Sequence, residues 1–309
     1  MRIYTLTLNP AYDVHVHAEE FVPFHENIAT VLSREVGGKG VNISRALLSA
    51  HIKNTAVVIL GAENAAEFRK GLENSKLSTL LLEVPGRIRE NITVHCDNAP
   101  ETRISFKGFS ADDSLLDEIF SRICPDPDTI ITLTGRIAEG MTIDRVKDFL
   151  KAAAAKGARI VIDSRSFRLS DLADVKPWLI KPNQEELSAY CGEAVEDMET
   201  ALLKAKEISQ LGIENVMVSM GERGALLVRK DRVLFAQAPL LQAASTIGAG
   251  DSSIAGFLAA TAQGHPPETC LAWAIAFGSA ACLTAGTQPP KESVIWDLYP
   301  QIQVNEIKT

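Results

Sequence analysis

Two glycine-led stretches carry the residues with the clearest chemical potential. In "STIGAGDSSIAGFLAATA", residues 245–262, Gly248, Ala249 and Gly250 precede Asp251, and Ile254, Phe257, Leu258 and Thr261 then recur at helical intervals. The spacing predicts a helix starting near Asp251. Asp251 as the N-cap behind a glycine turn is one explanation. The other is a helix N-terminus whose bared N–H groups attract an anion, with Asp251 beside a bound phosphate. The second stretch is "REVGGKGVNISRALLSA", residues 34–50, where Gly37, Gly38 and Gly40 lead into a helix with Val41, Leu47 and Leu48 on its apolar side. It is neither a Walker A loop nor GxGxxG. A plain connector would explain the glycines, but Lys39 within the turn, a cation among bare N–H groups, suits a phosphate or sugar hydroxyls.

Weaker signals stand at other element ends. "LNPAYD" places Asn9 and Asp13 just after a first strand. They are turn formers, or Asp13 is a bidentate acceptor for a sugar diol. "RIREN" supplies Arg87, Arg89 and Asn91, a solvated charge run or a phosphate clamp. In "LIKPNQEEL", Lys181 and Asn183 flank Pro182, and Glu185 and Glu186 fall in a first helical turn, where the dipole favours them in any case. "SMGERG", with Ser219, Gly221 and Gly224, is a tight turn between strands. Two glycine-rich anion sites, a lysine, arginines and one aspartate at a helix start together suggest phosphoryl transfer. That chemistry needs charge neutralisation, in-line alignment and a base near the attacking hydroxyl.

Those residues need a frame. At 309 residues and 46% hydrophobic, the chain can bury a large core, as one domain over residues 1–309. A net charge of −8 gives no broad basic field, so nucleic acid is not the expected partner. Five cysteines without a CxxC pair read as thiols in a reducing compartment. "MRIYTLTLNP" has no signal-peptide pattern and reads as a strand. The uncharged run at Thr269–Pro290 after Glu268 is short and rich in small residues, a buried helix rather than a membrane span. The expected location is cytoplasmic.

Strands are expected at Ile3–Leu8, Ala56–Leu60, Ile130–Thr134, Ile160–Asp163, Trp178–Lys181, Val216–Ser219 and Ala225–Val228, several of them continuous apolar runs suited to burial on both faces. Amphipathic helices are expected in "SADDSLLDEIF", with a capping-box-like start at Ser110 and Asp113, in "MTIDRVKDFLKAAAAKG" ending at Gly157, and in "VEDMETALLKAKEISQLG" ending at Gly212. The alternation predicts a largely parallel sheet with helices on both sides. Residues 14–35 and about 87–107 break the rhythm and are expected to form a small antiparallel sheet, a lid over the carboxyl edge where ligands bind.

"GGKGVNISRAL" followed by "STIGAGDSSIAGF" resembles the ribokinase-like sugar kinases of the PfkB family, closest to its 1-phosphofructokinase and tagatose-6-phosphate kinase branch. The resemblance runs from "TLNPAYD" to "AGT" at Ala285–Thr287. It implies an α/β fold, a Rossmann-like mostly parallel sheet flanked by helices, with a small β-sheet lid that often forms a dimer interface. It also implies ATP and Mg²⁺. Asp251 would take the proton of the sugar hydroxyl, and the Gly248, Ala249 and Gly250 amides would form the anion hole. Asn183 and Glu186 match an NxxE pattern that organises Mg²⁺ through water. Lys181, Ser219, Gly221, Glu222 and Gly224 fall where ATP is held. Asp13, Gly38, Lys39 and Asn42 fall where the sugar is gripped, with Arg89 and Asn91 on the side of its phosphate. Asn27 also fits the branch.

Four departures concern the substrate. "GRIAEG" at 135–140 stands where relatives have Gly-Ser-Leu-Pro, "DSRS" at 163–166 for Asp-Thr-Ser-Gly, "TRISF" at 102–106 for Thr-Glu-Ile-Asn, and Thr93 for a lysine. Arg103, Arg136 and Arg165 are thereby added near the expected pocket. The reading is an ATP-dependent kinase of a ketohexose phosphate, fructose 1-phosphate first. Tagatose 6-phosphate is the nearest alternative, unphosphorylated sugars or nucleosides come next, and a non-catalytic sugar-phosphate sensor is the alternative of another class.

Overall fold

A computed structural model describes residues 1–97, 100–284, 286 and 288–308. The "AGT" end of the resemblance falls partly outside the described residues. The chain begins β1 (Arg2–Thr7), β2 (Ala11–Ala18), β3 (Thr30–Gly37), α1 (Lys39–Ser49), β4 (Thr55–Gly61), α2 (Ala65–Asn74), β5 (Thr79–Val84), β6 (Arg89–Cys96) and β7 (Thr102–Ser105). It continues α3 (Ser114–Ile123), β8 (Thr129–Thr134), α4 (Ile143–Ala155), β9 (Arg159–Asp163), α5 (Leu169–Val175), β10 (Leu179–Ile180), α6 (Gln184–Cys191) and α7 (Met198–Gln210). Then follow β11 (Asn215–Ser219), β12 (Ala225–Val228), β13 (Val233–Ala236), α8 (Ala249–Ala262), α9 (Pro267–Cys282), α10 (Glu292–Leu298) and β14 (Val304–Glu306).

Ten strands form one sheet in the order β14-β13-β12-β11-β10-β9-β8-β1-β4-β5. The seven from β5 to β11 pair in parallel, and β12, β13 and β14 add antiparallel at one edge. Successive side chains of a strand leave opposite faces. Ile130 therefore packs in one core, with α1, α8 and α9, and Ile131 in the other, with α2, α3, α4 and α7. Burial on both faces is why these strands read as apolar runs. The strand order reverses at β1, which lies between β4 and β8, so the crevice beyond the carboxyl ends of β1, β8, β9 and β10 is the topological place for a ligand.

The first part of the uncharged stretch, to Cys282, lies in α9, held so close to α8 that a Cβ on Gly256 would meet the Trp273 carbonyl oxygen. Among the described residues no helix is long and apolar enough to cross a membrane. β5, β13 and β14 were not anticipated; β5 and β14 are half-covered edge strands with weak patterns. β10 is shorter than expected, ending at Ile180 two residues before Pro182, which cannot donate to the ladder. The α3 start also differs. Asp113 is the cap position but its carboxylate accepts from Thr142 N and Oγ1 at 2.9 Å, while Ser110 Oγ donates to the Glu139 carbonyl.

The small sheet has the order β3-β2-β6-β7 and is mixed rather than antiparallel. β2 and β6 run parallel, from Ala11 opposite Arg89 to Ala18 opposite Cys96. The reason is connectivity: β3, α1, β4, α2 and β5 intervene, so the chain re-enters from the same end. Tyr12 fastens this sheet to the larger body, its hydroxyl donating to the Asn64 carbonyl at 2.6 Å and its ring edge-on to Phe68.

Candidate active site

The crevice at the strand reversal is a cavity of about 550 Å³. Thr7 and Asn9 enter it from the end of β1, Thr134, Gly135 and Arg136 from β8, Asp163 and Arg165 from β9, and Lys181 and Asn183 from β10. The small sheet roofs it. Asp13 on β2, Arg89 and Asn91 on β6, and Arg103 and Ser105 on β7 are alternate strand residues, so each pair presents the same face. Asp13 thus lies within a strand rather than in a turn, and Arg89 opens β6 rather than standing in a solvated charge run.

Two glycine-led helix starts complete the walls. Gly38, at φ 129°, is the N-cap position of α1, and Lys39 is the first helical residue rather than part of a turn. Gly40 lets α1 ride directly on β1, since a Cβ there would come within 2.6 Å of the Leu6 carbonyl oxygen. Gly248, at φ 80°, is the N-cap of α8, and Asp251 is the third residue of that helix rather than its cap. No side chain caps either helix among the described residues. First-turn N–H groups have no intrahelical acceptor, so those of Gly250 and Asp251 are open to an anion.

Asp251 is 6% exposed. Burial pushes its carboxyl up, the Lys39 ammonium and the Asn42 amide oppose that, and the result is about 6. Asn42 Nδ2 donates to Asp251 Oδ2 at 3.0 Å. Asp163 is as buried, yet its carboxyl is held below the usual range: burial raises it, and the Lys181 and Lys39 ammonium groups outweigh that. Lys39 Nζ donates to Asp163 Oδ2 at 3.0 Å. Burial lowers the Lys39 ammonium, but Asp163 and Asp251 raise it further, so it stays charged. Two buried carboxylates in one cavity are thereby driven apart, the pattern that separates a proton acceptor from a structural anion. Lys181 Nζ lies beside the α8 start, 3.2 Å from where a Cβ on Gly250 would sit.

At the roof, Asn91 Nδ2 donates to Asp13 Oδ1 at 2.8 Å, and Arg89 Nη1 donates to Asn91 Oδ1 at 3.1 Å. Arg103 Nη2 reaches Asp13 Oδ1 at 3.5 Å. Burial depresses the Arg89 guanidinium, Asp13 offsets this, and Arg136 and Arg103 depress it again. Arg103 and Arg136 thus both bear on the buried Arg89, and Asp13 is the carboxylate that offsets them. In all, six cations and four carboxylates line the cavity of a chain whose net charge is −8. Asn9 Oδ1, Asn42 Oδ1, Arg89 Nε and Thr134 Oγ1 are buried in or beside it without a partner. Orphaned polar atoms of both kinds around one crevice fit a polyhydroxylated, anionic ligand.

Asn183 and Glu186 also face the cavity, in a closed arrangement. Asn183 Oδ1 accepts from Glu186 N at 2.7 Å, and Glu186 Oε2 accepts from Asn183 N at 3.2 Å, a reciprocal capping box on α6. Glu186 Oε1 accepts from Arg165 Nε at 3.2 Å. Not all expected residues converge. Ser219, Gly221, Glu222 and Gly224 form the turn from β11 to β12, outside the cavity and joined to it through a backbone bridge between Ser219 and Asn183. Ala249 does not line it, and exposed Arg87 lies apart. Asn27 folds back on its own loop, accepting from Val22 N at 2.7 Å. Arg103, Arg136 and Arg165 all line the crevice. Asp163 was overlooked as a functional residue, although a lone aspartate ending an apolar strand was a usable signal.

Comparison with known proteins agrees with this geometry. The model of the pfkB family carbohydrate kinases matches residues 11–294. The chain is 32% identical to the 1-phosphofructokinase of Bacillus subtilis, over 99% of this chain and 100% of that one. It is 28% identical to the ATP-dependent 6-phosphofructokinase isozyme 2 of Escherichia coli, over 93% and 94% of the two chains. The crystal structure of phosphofructokinase-2 from Escherichia coli in complex with substrates and products superposes with a TM-score of 0.90 at 26% identity, covering 97% of this chain and 99% of that one. With its strand order, its two glycine-led helix starts and its buried aspartate, the chain belongs to the PfkB family of carbohydrate kinases.

Proposed function

We propose that the protein transfers the γ-phosphoryl group of ATP to a hydroxyl of a ketohexose phosphate, fructose 1-phosphate in the first place, giving fructose 1,6-bisphosphate. The observation that carries this is the pairing of a buried aspartate, raised to about 6, with an uncapped helix start in a cavity that is also lined by Arg89, Arg103 and Arg136. A proton acceptor near neutral pH, an anion hole and a separate cationic end suit a hydroxyl nucleophile on a molecule that already bears a phosphate.

In this reading Asp251 takes the proton as the hydroxyl attacks. Asn42 fixes the carboxylate by donating to Oδ2, leaving Oδ1 for the substrate. The Gly250 and Asp251 amides, with Gly248 setting their direction, receive charge on the migrating phosphoryl group, and Lys181 and Lys39 add positive field. Asp13, Gly38 and Asn91 hold sugar hydroxyls, and Arg89, Arg103 and Arg136 hold the resident phosphate. Ser219, Gly221, Glu222 and Gly224 form a ledge for the nucleoside end of ATP. The small sheet, about residues 14–35 and 87–107, acts as the lid of one kinase domain.

Mg²⁺ fits only indirectly. No group of three or more His, Cys, Asp or Glu among the described residues could hold a metal, and both Glu186 oxygens are engaged. Mg²⁺ carried on ATP phosphates keeps most of its waters, and in this reading Glu186 would order those waters. When bound, the ion neutralises phosphate charge.

Val31, Leu32, Ile104 and Phe106 expose apolar side chains on the small sheet, and we place a homodimer contact there. Light scattering on the wild type and on Leu32→Lys tests it; a monomeric wild type removes the contact. The function is tested by ADP release with Mg-ATP on fructose 1-phosphate, fructose 6-phosphate, tagatose 6-phosphate and the free sugars. Turnover is expected on fructose 1-phosphate. A preference for another phosphosugar would reassign the arginines, and silence throughout, with sugar phosphate still binding, would make the protein a sensor.

A further inference from the structure

Behind the small sheet, on the far side of β2 from Asp13, lies a larger cavity of about 770 Å³ between β3, α1 and α2. None of its lining residues is shared with the proposed catalytic crevice. Three cations line it, and among the described residues only Arg34 is ion-paired. Arg34 lies 3.7 Å over the Tyr12 ring and ion-pairs with Glu67 and, at 2.8 Å, Glu90. Arg45 makes a single neutral contact, Nε to Ser75 Oγ at 3.2 Å, and has no ion pair among the described residues. Lys70 and Asn74, one turn apart on the same side of α2, have no side-chain hydrogen bond or ion pair among the described residues.

The carboxylates on the cavity wall do not fill that gap. Glu67 serves Arg34, and Glu35 accepts from Gln288 Nε2 at 2.6 Å. Burial depresses the Arg45 guanidinium, and Glu35 and Asp13 offset this only in part. A guanidinium drawn into a cavity without a directly paired anion loses hydration that its one contact to Ser75 restores only in part. A planar donor fork, an ammonium group and a side-chain amide lining one cavity from two helices are a donor set suited to a phosphate.

We propose that this cavity is a second anion site, separate from the catalytic one, that binds the phosphate group of a small metabolite between Arg45, Lys70 and Asn74. Its place in the fold gives it access to the reaction. Arg45 lies one turn beyond Asn42 on α1, and Glu35 on the cavity wall is the register partner of Asp13. An anion drawn against Arg45 therefore bears on the helix that fixes Asp251.

Inorganic phosphate is the probe, titrated by calorimetry into the full chain. A binding event is expected that persists in Arg89→Met, which strips the catalytic cavity of a cation, and disappears in Arg45→Met. In Lys70→Ala the same event is expected to weaken about three- to tenfold. If Arg45→Met leaves every phosphate-binding event unchanged, or if all binding is lost in Arg89→Met, there is no second site. Should Arg45→Met fail to fold, exposed Lys70 decides: phosphate affinities unchanged by Lys70→Ala overturn the proposal.

Discussion

Helices α8 and α6 both point their N-termini into the same crevice, and they treat those ends in opposite ways. α6 is sealed. Asn183 and Glu186 satisfy each other's backbone amides, and Arg165 holds the remaining carboxylate oxygen. α8 is open, because Gly248 offers no side chain and Asp251, three residues into the helix, turns to Asn42 instead of to its own backbone. Both sequences place an acid in the first turn, and the dipole favours both. What separates them is where the acid's oxygens and the helix amides are engaged. A sealed end stabilises its helix, whereas an open end in a buried crevice is left for a ligand.

The sharpest way to break this contrast is Asp251→Asn. The substitution keeps an oxygen for Asn42 Nδ2 and nearly the same volume, but removes the proton acceptor. Turnover should fall roughly 10²–10⁴-fold with the fold intact. Near-normal ADP release from the variant would mean that the open end serves binding alone.

The same variant has a second, opposite effect. The folded Asp251 carboxyl sits at about 6, above its ordinary value of 3.8. The folded protein thus binds the extra proton below that point, and wild-type stability falls as pH rises from about 4 through about 6. The full effect is about 2–3 kcal/mol. Asp251→Asn lacks this titration, so its advantage in denaturant unfolding should open over that window and stay constant above it. A gap independent of pH would show that the buried charge is compensated by Lys39.

Gly248→Ala should act on both stability and turnover. At φ 80° a Cβ costs about 1–2 kcal/mol, and relaxing the strain tilts the first-turn amides away from the crevice. Gly192 closes α6 at φ 70° with nothing within 4 Å of its would-be Cβ. Gly192→Ala should therefore show a similar loss in melting and leave ADP release unchanged. Equal turnover losses in the two variants would assign the Gly248 effect to stability alone.

Much of this was legible in the sequence, and unevenly so. Strands buried on both faces announce themselves as apolar runs, and the strand expected at Ile130–Thr134 is legible for that reason. The glycine-led helix starts were found because positive φ and an uncapped end each favour glycine. The small sheet was harder. Its alternation was visible at "ITVHCD", but the parallel pairing of β2 with β6 depends on a crossover through five other elements, which no local window contains. Asp13 likewise looked like a turn residue from its neighbours Asn9 and Pro10, although it faces the cavity from within a strand. Asp163 was passed over because its significance is relational: it anchors Lys39 from 124 residues away.

Glu186→Gln is the mildest test of the contrast, and it probes the sealed end. The amide retains an oxygen for Asn183 N, so the capping box on α6 survives, and losing the half-exposed pair with Arg165 should change stability by less than about 1 kcal/mol. If the carboxylate only seals the helix, ADP release should respond equally little at every Mg²⁺ concentration. If its charge also orders waters around a nucleotide-bound cation, the free Mg²⁺ needed for half-maximal turnover should rise several-fold while saturating turnover changes less. The sealed end would then be a helix cap whose outer face still takes part in the reaction, a role that Asn183, neutral and internal to the same box, cannot share.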